Sequence, residues 1–497
     1  MTTLNLRGYG IPKATLSTTE IDELKQELTV SPAGNPLMPT SAVPSFPLYM
    51  ESSKKLYVPK YFGLSKFGAP DADKLSDGRD IDVPFTGSLR PEQMKPVDAF
   101  LCAANDPLRR GGILSLPCGS GKTVIALHII ARMRKKTVIV VHKDFLLTQW
   151  KERIEQFMPT ASVGLIKAKH CDVKDRDIVI ASLQSLSMKE YSDDVFQDVG
   201  MLVIDEVHRT GTEVFSRALQ KFNFRYSLGL SATVKRKDGL TKVFVWFIGD
   251  VVFKVSRRKD TSLNVVMREF FVKDPAYCSE HFINGKALNL ARMVNNVCEY
   301  EPRTRMMVSV LRDVFDRSGG TRRFLVLSDR KSLLNRIHAL LQEENDGRRH
   351  MTSGFYIGGM KPSALEESLS KHVILATFSF ASEGFDAQHL DTLLLASPKT
   401  DIEQSVGRIL RVHAGGERVN APLVIDIVDG FSMFDRQANK RRAFYKRHGY
   451  SVHSQSFDCD GSVLDAVHHA IADDDDDDDG GIKLPECAFK DIPTGPE

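Results

Sequence analysis

Ten short apolar runs, five in each of two blocks, constrain the fold of this chain more than any other feature. The first block carries GILSLP (112–117), TVIVVH (137–142), DIVIAS (177–182), MLVIDE (201–206) and YSLGLSAT (226–233). The second carries FLVLS (324–328), GFYIGG (354–359), HVILATF (372–378), TLLLAS (392–397) and PLVIDIVD (422–429). Many of these runs are β-branched and apolar without alternation, the pattern of strands covered on both faces. Longer amphipathic stretches separate them, as crossover helices between parallel strands must. The expected fold class is therefore α/β, with two tandem parallel-sheet domains at residues 89–253 and 301–456. Residues 1–88 are proline-rich and include the segment LYVPKYFGL (56–64), so a small β-containing accessory region is expected there. Residues 254–300 read as a connector and residues 457–497 as an acidic tail. MFDRQANKRRAFYKRHGY (433–450) has helical periodicity and a basic face, and is expected to pack on the second unit.

Charge divides the chain differently from its total. The net formal charge is +3, but residues 473–497 hold ten acidic groups, Asp473 to Asp479 among them, against Lys483 and Lys490. That segment carries −8, which leaves residues 1–472 at +11. A like-charged run of this kind stays solvated, while the basic remainder suits a polyanionic partner. Hydrophobic content of 42% and charged content of 26% exclude a fibrous or wholly disordered chain. No apolar stretch reaches the ~20 residues that span a bilayer, so no membrane partner is expected. The start, MTTLNLRGYGIPK, has no secretory pattern, and the seven cysteines are scattered without a CxxC pair. Both point to an intracellular protein with reduced thiols, nuclear or cytoplasmic. Oligomeric state is not legible.

The run GILSLP leads into Pro117-Cys118-Gly119-Ser120-Gly121-Lys122-Thr123 and then a helical VIALHIIARM. Glycines that let backbone N–H groups approach an anion, placed at a helix start, form a phosphate cradle. Lys122 supplies a charge for β/γ-phosphates and Thr123 a hydroxyl for Mg²⁺, although Leu116 stands where the full pattern has its first glycine. The run MLVIDE ends in Asp205 and Glu206, which places two carboxylates at the carboxyl edge of a sheet, where ligands bind in open α/β folds. Asp205 is expected to hold Mg²⁺ and Glu206 to deprotonate an attacking water. Gln404, Arg408 and Arg411 follow helical spacing in the second block, and arginine forks suit a γ-phosphate in its transition state.

Together these residues resemble the superfamily 2 helicases of the DExH type, over about residues 85–430 and in the family's order. Arg90-Pro91-Glu92-Gln93 resembles the adenine-reading segment, and DEVH (205–208) resembles the motif that names the type. TVIVVHKDFLLTQW (137–150) is similar to motif Ia and IVIASLQSLS (178–187) to motif Ic. Ser231-Ala232-Thr233 is similar to the coupling motif III, FLVLSDR (324–330) to motif IV, and ATFSFASEGFD (376–386) to motif V. LPCGSGKT and SATVKRKDG lean toward the XPB-like branch, which includes the phage UvsW type and members from large DNA viruses. Two positions depart from that branch: Arg236-Lys237-Asp238 replaces Arg-Glu-Asp, and His142 replaces the usual proline of motif Ia.

The resemblance implies two RecA-like domains with ATP and Mg²⁺ between them. Gln93 would read adenine, and Pro117 to Thr123, Asp205 and His208 would surround the phosphates and metal. Glu206, Gln404, Arg408 and Arg411 would serve catalysis, and Gly384 and Asp386 would approach the ribose or the γ-phosphate. The implied activity is a DNA helicase or translocase, with a nucleic-acid-stimulated ATPase that remodels complexes or acts on RNA as the alternative. Transcription or replication machinery would be its setting. A track that tolerates any base contacts phosphate and sugar, for which Lys143, Gln149, Ser182, Gln184, Ser328, Arg330 and Thr377 are the expected residues. Arg257-Arg258-Lys259 and Lys440-Arg441-Arg442 add positive patches. Trp150 and Trp246 lie in apolar contexts and are expected to be core side chains.

Overall fold

The computed structural model describes residues 1–32, 45–117, 119–207, 213–232, 239–255, 262–283, 287–343, 350–381, 389–410, 419–457 and 463–468. The chain opens with β1 (Thr3–Asn5) and β2 (Gly8–Pro12), an antiparallel pair joined by a short turn. Asn5 Oδ1 accepts the Arg7 N–H at 2.9 Å, and Gly8 turns with φ +103° where a Cβ would lie 2.4 Å from the Val58 carbonyl oxygen. After β3 (Thr29–Val30) and β4 (Phe46–Pro47) come β5 (Met50–Glu51), β6 (Lys55–Val58) and β7 (Ala72–Asp73), completing a sheet ordered β5-β6-β2-β1-β7. The expected β-containing N-terminal region is thus a five-stranded sheet with two helices, Thr18–Glu27 and Lys60–Phe67.

The second sheet uses β8 (Gly111–Ser115), β9 (Thr137–Val141), β10 (Val163–Lys167), β11 (His170–Cys171), β12 (Ile178–Ser182), β13 (Met201–Ile204), β14 (Tyr226–Ser231) and β15 (Val251–Lys254). Its order is β11-β10-β12-β9-β13-β14-β8-β15, parallel throughout except for the β10–β11 pair. Alternate residues of each strand enter different cores. Val138, Val140, Leu202 and Ile204 pack on one side, Ile139, Val141, Met201 and Val203 on the other. The first of these cores continues through Leu4, Tyr9 and Leu56 of the N-terminal sheet and Phe62 of helix Lys60–Phe67.

Polar bonds fix that junction. The Lys60 ammonium, buried at 1% exposure, donates to the carbonyls of Phe224 (3.1 Å) and Arg225 (2.7 Å). Tyr61 Oη and Ser227 Oγ are 2.5 Å apart, and Asp73 pairs with both Arg110 and Arg225. Burial pushes the Lys60 amine down to about 7, helped by Arg110 and opposed by Asp73.

The third sheet begins earlier than expected. Asn264–Phe270, inside the stretch read as a connector, is β16 and pairs in parallel with two strands of this sheet. Its sequence, NVVMREF, alternates in burial, so it lacks the continuous apolar run that marks its neighbours. A small ladder of β17 (Phe282–Ile283) and β18 (Ala287–Leu288) follows. Then come β19 (Phe324–Ser328), β20 (Ser353–Tyr356), β21 (Val373–Thr377), β22 (Thr392–Leu395), β23 (Leu423–Asp429), β24 (Ser451–Phe457) and β25 (Val463–His468). The sheet runs β20-β21-β19-β22-β23-β16-β24-β25, parallel apart from β25. Val463–His468 thus adds an antiparallel strand in what was read as tail.

Helix Ser432–Arg447 packs on the third sheet as expected, but its basic run is not wholly a surface patch. Arg441 is 2% exposed and pairs with Asp426 at 2.8 Å, and Arg442 pairs with Glu269. A second internal pair, Arg303 with Asp429, is bidentate at 2.6 and 2.9 Å and also holds the Ala396 carbonyl at 2.8 Å. Among the described residues, no helix is long and apolar enough to cross a membrane. The Asp473–Asp479 run and the Arg236–Asp238 and Arg257–Lys259 segments lie outside the described residues.

Candidate nucleotide and nucleic-acid site

Five buried residues form β8, and the chain then turns sharply. Gly119 and Gly121 both take left-handed backbone, with φ of +84° and +82°, and the helix Lys122–Met133 starts at once. Ser120 Oγ donates to the Pro117 carbonyl at 2.8 Å, closing the loop on itself. The next control comes from helix Pro91–Asn105. Gln93, 6% exposed, accepts the Arg90 N–H through Oε1 (2.9 Å) and donates through Nε2 to the Ser120 carbonyl (2.8 Å). A Cβ on Gly121 would sit 2.4 Å from Gln93 Nε2, so only glycine lets this amide lie against the loop. The expected adenine-segment and phosphate-loop residues are therefore one packed unit.

Two more strands bring in the acids and the motif III serine. β13 lies between β9 and β14, and β14 lies beside β8. The Asp205 N–H donates to the Val140 carbonyl at 3.1 Å, extending the ladder by one residue, and Glu206 follows with φ +51°. For a residue with a Cβ that conformation costs about 1 kcal/mol, and it turns the chain directly after the strand. Glu206 Oε1 lies 2.8 Å from Lys122 Nζ, both side chains largely shielded from solvent. Asp205, 8% exposed, accepts the indole N–H of Trp150 at 3.0 Å. Burial raises the Asp205 carboxyl above the ordinary range; Glu206 adds to that, and Lys122 and Trp150 oppose it. Ser231, at the end of β14 and 1% exposed, accepts the Leu116 N–H through its carbonyl at 2.8 Å, and Ala232 beside it is 8% exposed. The chain leaves the sheet beside this loop, where the Val255 N–H donates to the Ser115 carbonyl at 3.1 Å.

A loop built to take phosphate, an acid pair beside its lysine and a buried amide at its rim are features of a nucleotide-hydrolysing site. Comparison with known proteins names the group. Residues 86–236 match the family model of the type III restriction enzyme res subunit. The protein L396 of Acanthamoeba polyphaga mimivirus, named as an ATP-dependent RNA helicase, is 34% identical over 90% of this chain and 85% of its own. The chain belongs to the superfamily 2 helicases. QP509L of African swine fever virus, also named as an ATP-dependent RNA helicase, is 25% identical over 70% of each chain. The crystal structure of T4 UvsW aligns over 88% of this chain and 96% of its own, at 17% identity and a TM-score of 0.33. Membership of that family makes the protein a nucleic-acid-dependent ATPase of the helicase type, and the second and third sheets belong to its two tandem α/β domains.

The helicase places the other expected residues with varying clarity. Thr123 follows Lys122 in the first turn of its helix. Gln404 and Arg408 lie one turn apart on helix Glu403–Ile409, where Arg408 is 8% exposed. Cys118, His208, Thr233, Gly384, Asp386 and Arg411 lie outside the described residues. On the expected track, Val141 and Ser182 are register partners at the carboxyl ends of β9 and β12. Ser182 Oγ donates to Gln184 Oε1 (3.1 Å), and Gln184 Nε2 donates to the His142 carbonyl (3.0 Å), so these residues and Lys143 gather at one edge. Lys143 stands at the N-cap position of helix Asp144–Phe157, which also carries Gln149. In the third sheet Ser328 and Thr377 are register partners.

Ser328 does not fit the role expected of it. It is fully buried, and its hydroxyl accepts the Arg330 N–H at 2.9 Å, so it shapes the turn that presents Arg330. Arg330 itself donates to Asn295 and to the Ala291 carbonyl (3.2 Å) on helix Leu290–Glu299. Trp246 is partly buried against Phe62, as expected of a packing side chain, and Trp150 is 1% exposed. The bond from Trp150 to Asp205 escaped the sequence reading. A buried indole needs an acceptor, and that requirement was the available signal.

Proposed function

We propose that this helicase hydrolyses ATP at the Lys122–Glu206 site and uses the cycle to move along single-stranded DNA. The observation that carries the nucleotide assignment is the contact of Gln93, Ser120 and Gly121 at a loop whose lysine already holds the Glu206 carboxylate. Gln93 reads the adenine edge, and the loop N–H groups with Lys122 bind the phosphates. Glu206 takes a proton from the attacking water, which bonds to the γ-phosphorus as the bond from the bridging oxygen to that phosphorus breaks; ADP and inorganic phosphate leave. Gln404, Arg408 and Arg411 contribute from the second domain. The donor set suits a hard cation, since Thr123 offers a hydroxyl and Asp205 a carboxylate beside Lys122. Mg²⁺ supplies Lewis-acid stabilisation of phosphate charge there when bound.

Lys143, Gln149, Ser182 and Gln184 form the first half of the strand track, Arg330 and Thr377 the second. DNA follows from the likeness of LPCGSGKT and SATVKRKDG to the XPB-like branch. The names of the mimivirus and African swine fever virus relatives favour a second reading, in which RNA is the track. ATP hydrolysis measured with single-stranded DNA, single-stranded RNA and no nucleic acid separates them. Stimulation by DNA of 10-fold or more is expected; stimulation by RNA alone overturns the DNA assignment. Rates equal to those of a Glu206→Gln control under every condition overturn the hydrolysis.

A further inference from the structure

Asp205 is held from two directions by one structural unit. Its backbone N–H is bonded to Val140 of β9, and its carboxylate Oδ2 takes the indole N–H of Trp150, which lies on the helix that follows β9. The donor has no freedom to wander. Trp150 is 1% exposed and packs among Leu146, Leu147 and Ile154 of its own helix and Met201 and Val203 of β13. An indole nitrogen offers one donor and no acceptor, so it can only donate to an oxygen of the Asp205 carboxylate, and the bond restrains that group's rotation. The helix has a second commitment. Lys143 stands at its N-cap position and Gln149 lies immediately before Trp150, and both are candidate nucleic-acid contacts.

We propose that Trp150 is a positioning residue that sets the carboxylate of Asp205 for Mg²⁺ and ties that setting to the nucleic-acid-facing helix. The proposal rests on the reading of Asp205 as a metal-holding residue and goes beyond it by naming the group that orients it. Groups that orient a metal-holding side chain influence metal affinity by roughly 10- to 100-fold. Removing the indole N–H while keeping an aromatic ring should therefore raise the Mg²⁺ requirement without removing the phosphate site. Because the bond runs from the helix of Lys143 and Gln149, the same change should blunt stimulation by nucleic acid.

The chain has two tryptophans, which provides a readout independent of turnover. In a Trp246→Phe background, Trp150 is the sole indole, and its emission should shift when Mg²⁺ and a non-hydrolysable ATP analogue are added together. The analogue with a chelator should leave it unmoved, as should Mg²⁺ added to a Trp246→Phe, Asp205→Asn double variant. Separately, Trp150→Phe should raise the Mg²⁺ concentration for half-maximal ATPase about 10-fold, keep turnover at saturating Mg²⁺ within about threefold, and reduce nucleic-acid stimulation. A purely packing role would lower the thermal midpoint and leave the Mg²⁺ requirement and the emission response where they were; that result overturns the proposal. If Asp205→Asn itself leaves the Mg²⁺ requirement unchanged, the metal reading of Asp205 fails instead. An altered requirement in Asp205→Asn with none in Trp150→Phe rejects only the role of Trp150.

Discussion

Lys122 and Glu206, 84 positions apart in sequence, meet at 2.8 Å where β8 and β13 end. The contact joins the phosphate-loop cation to the carboxylate assigned as general base. An incoming γ-phosphate carries more negative charge than a single carboxylate and competes for the same ammonium. On the proposed function, nucleotide entry would release Glu206 from Lys122 and free it to engage water.

Glu206→Gln keeps the side chain's shape and removes its basicity. Turnover of ATP should fall by about 100-fold or more, while the nucleotide still binds. Steady-state hydrolysis beside equilibrium binding of a fluorescent ATP analogue tests both halves.

Gly121→Ala adds a Cβ at φ +82° and drives it into the Gln93 amide. The backbone term alone costs about 1 kcal/mol. The larger effect should be on nucleotide affinity, because the loop or Gln93 must move. Loss of ATP binding with a thermal midpoint lowered by only a few degrees is expected in paired calorimetry and unfolding scans.

Gln93→Ala leaves the Ser120 carbonyl without its 2.8 Å donor and deletes the amide proposed to read adenine. The KM for ATP should rise about 10-fold, and discrimination between ATP and GTP should shrink toward unity. Competition assays with the two nucleotides measure this ratio directly.

Lys60 gives a dependence on pH whose sign is fixed. Its folded-state pKa is pushed down to about 7 by burial, against 10.5 for a free lysine. Between those values the unfolded chain binds the extra proton, so the Lys60 contribution to stability rises with pH, by about 1 kcal/mol per unit. Below pH 7 both states carry the charge and the slope vanishes. Chemical denaturation of the parent and Lys60→Met proteins from pH 6 to 9 should show this slope only in the parent.

Arg303→Met strips Asp429 of its bidentate partner inside the second domain, where Arg303 is fully buried. Breaking a buried pair on one side costs about 3–5 kcal/mol. Unfolding of this domain should move to lower denaturant, and Arg303→Met combined with Asp429→Leu should recover part of the loss.

Continuous apolar runs such as TVIVV and MLVI marked their strands because both faces of each are buried. The same criterion passed over β16, which alternates, and the short edge strand β11, whose residues are both exposed. The phosphate loop and the two acids were legible because their chemistry is local. Burial is not local, and it reassigns Ser328 to a turn and Arg441 to an internal pair. The Trp150–Asp205 bond crosses 55 positions and depends on how a helix lies over a sheet, which no spacing in the sequence expresses.

The route between the two large sheets follows from the position of β15. This strand is hydrogen-bonded to β8, Val255 just beyond it is tied to Ser115, and the next strand along the chain is β16 of the other sheet. The tether between the domains is therefore anchored beside the phosphate loop rather than at the far rim of the first sheet. If the two domains move about this anchor during the proposed cycle, a shift beside the phosphate loop would grow with distance from it, and the length of a step would depend on how far the gripping residues lie from that point.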